Sequence, residues 1–187
     1  MKKVDPILWS ETGQYLRYSD TPRGISPLAF PGMSDTVIKV NSYAHDESGI
    51  TIEDADHVRQ MTKKRMRKEE GLSKEMLRYP CITVSGTPDA STALICWGSP
   101  KGVCNEVAAI LGFRVIQIIV LYPFPLLQLQ QAIKGVQRLI AVEENSSGQL
   151  AALAEQHGIV PDERILRYDG RPFSPAYLIE KISELVK

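Results

Sequence analysis

The sequence carries no surplus of charge, no long apolar run and few cysteines, and each shortage removes a class of function. Its 22 Lys and Arg are matched by 22 Asp and Glu, so no overall field draws it to nucleic acid or a membrane surface. No apolar stretch nears the ~20 residues that a bilayer-crossing helix needs. The opening Met1-Lys2-Lys3-Val4-Asp5-Pro6 lacks the apolar centre of a signal peptide. The three cysteines are Cys81, Cys96 and Cys104. Their odd number, with two in an apolar run and the helix after it, predicts buried free thiols in a reducing cytoplasm rather than disulfides. No C-x-x-C occurs, so no iron–sulfur cluster is expected on this chain. The three histidines have neither H-E-x-x-H nor H-x-x-E-H spacing, and no zinc site is expected. GxxxxGK[ST], GxGxxG and G-x-S-x-G are missing as well, which leaves nucleotide-loop and serine-nucleophile chemistry without support.

What is present is a repeated strand–helix pattern. Leu94–Trp97 is wholly apolar, stops at Gly98-Ser99-Pro100-Lys101-Gly102, and gives way to a helical period through Val103, Val107, Ile110 and Leu111. That is the start of a βα unit in a parallel sheet. Three more follow. Phe113–Leu121 leads into Pro125–Val136, Gln137–Val142 into Ser147–Gly158, and Arg164–Tyr168 into Pro175–Val186. The pattern predicts an α/β domain over 81–187 with a mostly parallel sheet, strands near 92–97, 114–121, 138–143 and 164–168, and helices on both faces. Ile118 and Ile119 are both expected to be buried, because a parallel strand is covered on each side.

Residues 1–80 look different and are expected to form a connector arm that docks on a partner domain. Asp20–Gly32 holds three prolines and two glycines, which favour turns over regular structure. Ser34–Val40 is a candidate strand, and Tyr43–Asp56 an acidic, ordered loop. From Asp56 to about Tyr79 the pattern is helical, with Asp54 or Asp56 as N-cap, Met61 and Val58 among its apolar marks, and Gly71 expected to bend or interrupt it. Lys63–Lys68 has five basic residues in six. Without interleaved aromatics it reads as a solvated face or a contact with an acidic partner.

Two loops and one tripeptide are the candidate ligand or interface sites. Gly98, Ser99, Lys101 and Gly102 could hold an anion with backbone N–H groups at a helix start, although a strand-to-helix turn alone explains the glycines. Glu143-Glu144-Asn145-Ser146-Ser147-Gly148-Gln149 places carboxylates, an amide and hydroxyls at a strand C-terminus. Glu144, Asn145 and Gln149 are the candidates there, while Ser146 or Ser147 is expected to cap the following helix. His45-Asp46-Glu47 suggests a structural link in which an acid fixes the His45 ring. This segment is expected near the strand C-terminal loops holding Gly98 and Asn145, where open α/β sheets place their crevice. No catalytic residue and no metal ligand is assigned.

Several of these features occur together in one known family. Gly24-Ile25-Ser26-Pro27 with Pro31-Gly32, then His45-Asp46-Glu47 and Gly49, then Glu53-Asp54, Arg59, Met61 and Lys64-Arg65 resemble the tail of the alpha subunit of 2-oxoacid:ferredoxin oxidoreductases. The second half is similar throughout, at Gly98-Ser99 and Lys101-Gly102, Leu121–Pro125, Val142–Asn145, Ser147–Gln149 and Tyr168–Phe173. The resemblance runs from about Tyr15. It implies a transketolase C-terminal-like domain, a three-layer α/β/α sandwich, in an enzyme that oxidatively decarboxylates a 2-oxoacid. It also implies thiamine diphosphate, magnesium, iron–sulfur clusters and coenzyme A in the assembled complex, none of them on this chain, and electron transfer to ferredoxin. The implied partners are a beta subunit and the pyrimidine-binding part of the alpha subunit, with a homo-oligomer as a further option.

The departures are equally specific. The pyrimidine-binding domain has no counterpart here, the family's arginine after Ile-Ser-Pro is Leu28, and its Asp-Glu before the histidine is Tyr43-Ala44. The reading that results is a structural or assembly module, a fragment or a separately encoded piece, without a complete active site. The rivals are a stand-alone assembly or small-molecule-binding protein that takes an anionic ligand at Gly98–Gly102, and a subunit of a related indolepyruvate or pyruvate enzyme.

Overall fold

The computed structural model describes residues 5–10, 13–33 and 37–185. It divides into two compact units, 1–75 and 76–187.

The N-terminal unit is a set of turns laid on one helix, α1 (Ala55–Met76). Asp54 caps it, its Oδ1 accepting from His57 N at 3.0 Å, three residues on as an N-cap requires. α1 runs through Gly71 without interruption. A glycine inside a helix costs about 1 kcal/mol relative to alanine but keeps its N–H in the ladder. The expected strand at Ser34–Val40 is not found: Val37–Val40 is irregular, with Val37 and Val40 exposed, and Ser34–Thr36 lie outside the described residues. Leu8–Leu28 and His45–Thr51 bridges pin the loops instead. At Gly24, with φ +69°, an added Cβ would lie 2.5 Å from Lys64 O. Only glycine permits both that backbone conformation and that approach.

The second unit has the expected three layers. Its strands are β1 (Ile82–Gly86), β2 (Thr92–Trp97), β3 (Arg114–Ile118), β4 (Arg138–Glu143) and β5 (Glu163–Leu166). Its helices are α2 (Lys101–Leu111), α3 (Leu126–Ala132), α4 (Gln149–Gln156) and α5 (Pro175–Glu184). The order across the sheet is β1-β3-β2-β4-β5. All neighbours are parallel except β1, which runs antiparallel on β3. Alternation of side chains along the strands makes two cores. Ala93, Ile95, Ile116, Ile118 and Ala141 pack on Leu129 of α3 and Leu150 of α4. Leu94, Cys96, Val115, Ile140 and Val142 pack on Val107 of α2 and Leu178 of α5. The three cysteines are buried and free, as expected. Hydrogen bonding with Cys96, then burial, pushes the Cys104 thiol up so that it stays protonated.

Two expectations fail here. Ile118 is 2% exposed but Ile119 is 51% exposed, because β3 ends at Ile118 and the covering layers end with it. The antiparallel strand β1 was not expected at all. Its Ile-Thr-Val-Ser-Gly is short, and Val84 at this edge is half exposed, so it shows no buried-strand pattern.

Candidate functional site

Chain direction sets where the sheet can bind anything. β2 feeds α2 on one face, while β4, its parallel neighbour, feeds α4 on the other. The loops leaving these strands therefore part, and the crevice of an open α/β sheet lies at such a point. Here Gly98–Gly102 faces Glu143–Gly148 across it.

The crevice is closed by hydrogen bonds within the protein. Ser99 Oγ donates to Glu144 Oε2, and Glu144 Oε1 accepts from Phe173 N at 3.2 Å, so one carboxylate ties together the loops after β2, β4 and β5. Gly98 makes its turn at φ +65°. Lys101 and Gly102 are already in α2 and exposed. An anion at this glycine loop would have to displace the Glu144 carboxylate from Ser99, which favours the turn over anion binding. The loop, Glu144, Asn145 and Gln149 do come together at the C-terminal ends of the neighbouring strands β2 and β4.

The cap of α4 is not a serine. Asn145 Oδ1 accepts from Gly148 N at 2.7 Å and from Ser147 N and Gln149 N at 3.2 Å. Glu143, fully buried, accepts from Leu150 N at 2.7 Å, Ala151 N at 3.0 Å and Asn145 Nδ2 at 2.8 Å. Side-chain oxygens from the strand end thus reach the first N–H groups of the helix. Serine would satisfy one donor, whereas a carboxylate also answers the helix's positive end. Glu143 belonged to the sequence motif but not to the candidates. Its position as the last strand residue, before an Asn four residues ahead of a helix, was the signal for this role.

An open groove of about 600 Å³ adjoins this network, lined by Glu144, Asn145, Ser146, Arg167, Tyr168 and Arg171 with Gly170 and Pro172. Arg167 is held rigidly. Its Nε and Nη2 reach the two Asp169 oxygens at 2.9 and 3.1 Å, and its guanidinium lies 4.3 Å from the Tyr177 ring centre. The Arg167 hydrogen bond, together with that from Arg171 N, holds the Asp169 carboxyl down to about 2. Arg167, Tyr168 and Arg171 escaped the candidates because Tyr168–Phe173 carried meaning only as a resemblance. An Asp-Gly turn with arginine two residues to either side was the available signal.

His45, Asp46 and Glu47 lie in the N-terminal unit. Among the described residues no carboxylate fixes the His45 ring, contrary to expectation. It stacks on Tyr18 with centroids 3.7 Å apart, and its Nδ1 is 3.1 Å from Asp46 O. The Asp46 carboxylate closes its own turn on Ser48 N, Ser48 Oγ and Ile50 N at 2.7–2.9 Å, and these bonds lower its pKa, that with the Ser48 side chain most. Glu47 accepts from Asp20 N. The basic run is not wholly solvated either. Lys64 is 5% exposed and donates to Tyr18 O at 2.5 Å and Ser26 Oγ at 2.6 Å, while Arg67 pairs with Asp20. With few apolar groups to bury, loop carbonyls and hydroxyls draw the ammonium inward. Burial lowers the Lys64 pKa.

Among the described residues, no three His, Cys, Asp or Glu side chains gather as a metal-ligand set. No helix among these residues is long and apolar enough to cross a membrane.

No family model matches the chain. It is 34% identical to 2-oxoacid:ferredoxin oxidoreductase 2, subunit alpha, of Aeropyrum pernix, over 95% of this chain and 29% of that protein. To the 2-oxoacid:ferredoxin oxidoreductase subunit alpha of Saccharolobus solfataricus it is 30% identical, over 100% and 30%. A solved 2-oxoglutarate:ferredoxin oxidoreductase from Magnetococcus marinus, with 2-oxoglutarate, coenzyme A and succinyl-CoA bound, shares the fold. Its TM-score is 0.75 over 96% of this chain and 32% of that one, at 24% identity. The chain spans about three-tenths of the length of the curated relatives it matches. The resemblance read from the motifs is thus borne out: nearly all of this sequence is homologous to a segment of 2-oxoacid:ferredoxin oxidoreductase alpha subunits.

Proposed function

We propose that the chain is the C-terminal module of the alpha subunit of a thiamine-diphosphate-dependent 2-oxoacid:ferredoxin oxidoreductase, with a structural and assembly role and no complete active site. The observation that carries this is the match to alpha subunits over nearly the whole chain but only about three-tenths of theirs. The assembled enzyme would oxidise a 2-oxoacid to an acyl-CoA and pass the electrons to ferredoxin. Thiamine diphosphate, magnesium, iron–sulfur clusters and coenzyme A would be bound mainly by the beta subunit and the pyrimidine-binding part of the alpha subunit. The N-terminal unit is the natural docking element. Phe30, Val37, Val40 and Tyr43 are each at least half exposed, which suits a surface covered by a partner.

Co-expression with the candidate beta-subunit and pyrimidine-domain chains of the same genome tests this. The three should co-purify and reduce ferredoxin with 2-oxoacid and coenzyme A, and leaving out this chain should abolish the activity. This chain alone should give none. Full activity without it, or failure of all three to associate, would contradict the proposal.

A further inference from the structure

The two edges of the sheet are unlike. β5 carries Glu163, paired with Arg138, and Arg164, paired with Glu155. Charges of this kind keep an edge strand from pairing with another chain. β1, at the other edge, reads Ile-Thr-Val-Ser-Gly without charge or proline. Among the described residues it pairs only with β3, and its Val84 is half exposed.

The ladder fixes which main-chain groups of β1 are left over. Thr87 N donates to Phe113 O and Ile119 N to Cys81 O, each at 2.9 Å, and hydrogen-bonded pairs alternate along an antiparallel register. With Ile82 opposite Ile118 and Val84 opposite Ile116, Thr83 and Ser85 turn their N–H and C=O groups to β3. Those of Ile82 and Val84 point out of the sheet. The hydroxyls of the strand are engaged inside the domain, Thr83 Oγ1 donating to Gln117 Oε1 at 3.1 Å and Ser85 Oγ to Asn105 Oδ1 at 2.7 Å.

We propose that β1 pairs antiparallel with β1 of a second copy of this chain, about a two-fold axis at Thr83, joining two sheets into one. In that register Ile82 meets Val84 of the second copy and Val84 meets its Ile82, so every outward N–H of these residues finds an outward carbonyl. The strand is its own complement, which singles out a second copy as the occupant. A two-fold contact sets a patch against itself, so a charged edge would bring like charges together, and β1 bears none. Alternation along the strand places Ile82 and Val84 of both copies on one face, where each Val84 is covered by the other copy's Ile82. The contact uses only residues 76–187 and stands whether or not the chain works in an oxidoreductase.

Sedimentation velocity of the full chain over a range of concentrations tests this, and the chain should dimerise reversibly. Val84→Lys should weaken the dimer about tenfold or more, because each copy brings a like charge to the shared edge. Val160→Lys, which alters another exposed apolar side chain just before β5, should leave the dimer unchanged. Both positions lie outside the two cores, so each variant should melt with the wild type. Thr83→Cys should form an intermolecular disulfide with oxidised glutathione, since directly opposed residues of a non-hydrogen-bonded pair have Cα atoms about 4.5 Å apart, within disulfide reach. Ser85→Cys, two residues from the axis, should not. A chain that is monomeric at every concentration would overturn the proposal, and protection of the Ile82 and Val84 amides only on adding the other oxidoreductase subunits would then assign the edge to a foreign strand. A dimer untouched by Val84→Lys, equal weakening by Val160→Lys, or cross-linking at Ser85→Cys in preference to Thr83→Cys would overturn it as well.

Discussion

In the α/β unit the fully buried groups are Leu94, Ile95, Ile116, Ile140 and their neighbours, on both faces of a sheet. In the N-terminal unit the buried hydrophobics among the described residues are Tyr15, Ala29 and Met61, and the group beside them is the Lys64 ammonium. The first arrangement draws its stability from area removed from water, roughly 25 cal/mol per Å². The second relies on hydrogen bonds with a net worth of about 1 kcal/mol each, and leaves apolar side chains outside. On the proposed function, the first part stands alone and the second is covered by a partner.

The contrast can be broken most severely at Glu143. Glu143→Ala strips Leu150 N and Ala151 N of their acceptor inside a dry core, at roughly 1–3 kcal/mol for each group left unsatisfied. Chemical denaturation should show a loss of about 2–4 kcal/mol in the α/β unit, with Glu143→Gln losing less because one oxygen remains. A variant as stable as wild type would mean that the buried carboxylate does not hold α4.

In the N-terminal unit the corresponding peg is Lys64. Lys64→Met keeps the stem but removes the donor to Tyr18 O and Ser26 Oγ. It should cost about 1–3 kcal/mol, seen as faster amide exchange at residues 18–28 while β2 and β4 stay protected. Equal loosening of both units would erase the distinction between them.

The smallest effect is local. Asp169 titrates at about 2 in the folded state against an ordinary 3.8, so between these values the unfolded chain binds more protons. The contribution of this group is fully present above pH 4 and fades as pH falls toward 2. The Arg171 amide, bonded to Asp169 Oδ1, should lose protection in that window. Asp169→Asn should remove the pH dependence. A flat profile in the wild type would show that the pair with Arg167 does not hold the turn.

The same contrast explains what could be read from the residues alone. The sheet was legible because Leu94–Trp97, Arg114–Ile118 and Arg138–Glu143 bury nearly every side chain, and apolar runs announce that. β1 was not, since an antiparallel edge strand with polar and half-exposed residues looks like loop. Ile119 misled because the apolar run continues through Leu121, beyond Ile118, the last residue of β3. In the site, motif reading found the loops Gly98–Gly102 and Glu143–Gln149 but gave the cap to Ser146 or Ser147. The choice between serine and the Glu143–Asn145 pair depends on which oxygens reach the helix end, a property of the strand's position rather than of local spacing. The run holding Lys64 was read as a solvated face or a contact with an acidic partner because a charge run carries no sign of which member turns inward. That depends on distant carbonyls at Tyr18 and Ser26.

Hydrogen–deuterium exchange on the full chain, alone and after co-assembly with the candidate oxidoreductase subunits, tests the central claim most directly. Amides within residues 1–75, above all 25–50, should gain strong protection on assembly, while those of β2 and β4 should be equally protected in both states. No gain over 25–50, or β2 and β4 becoming protected only in the complex, would contradict a self-sufficient α/β unit carrying an arm built to be covered.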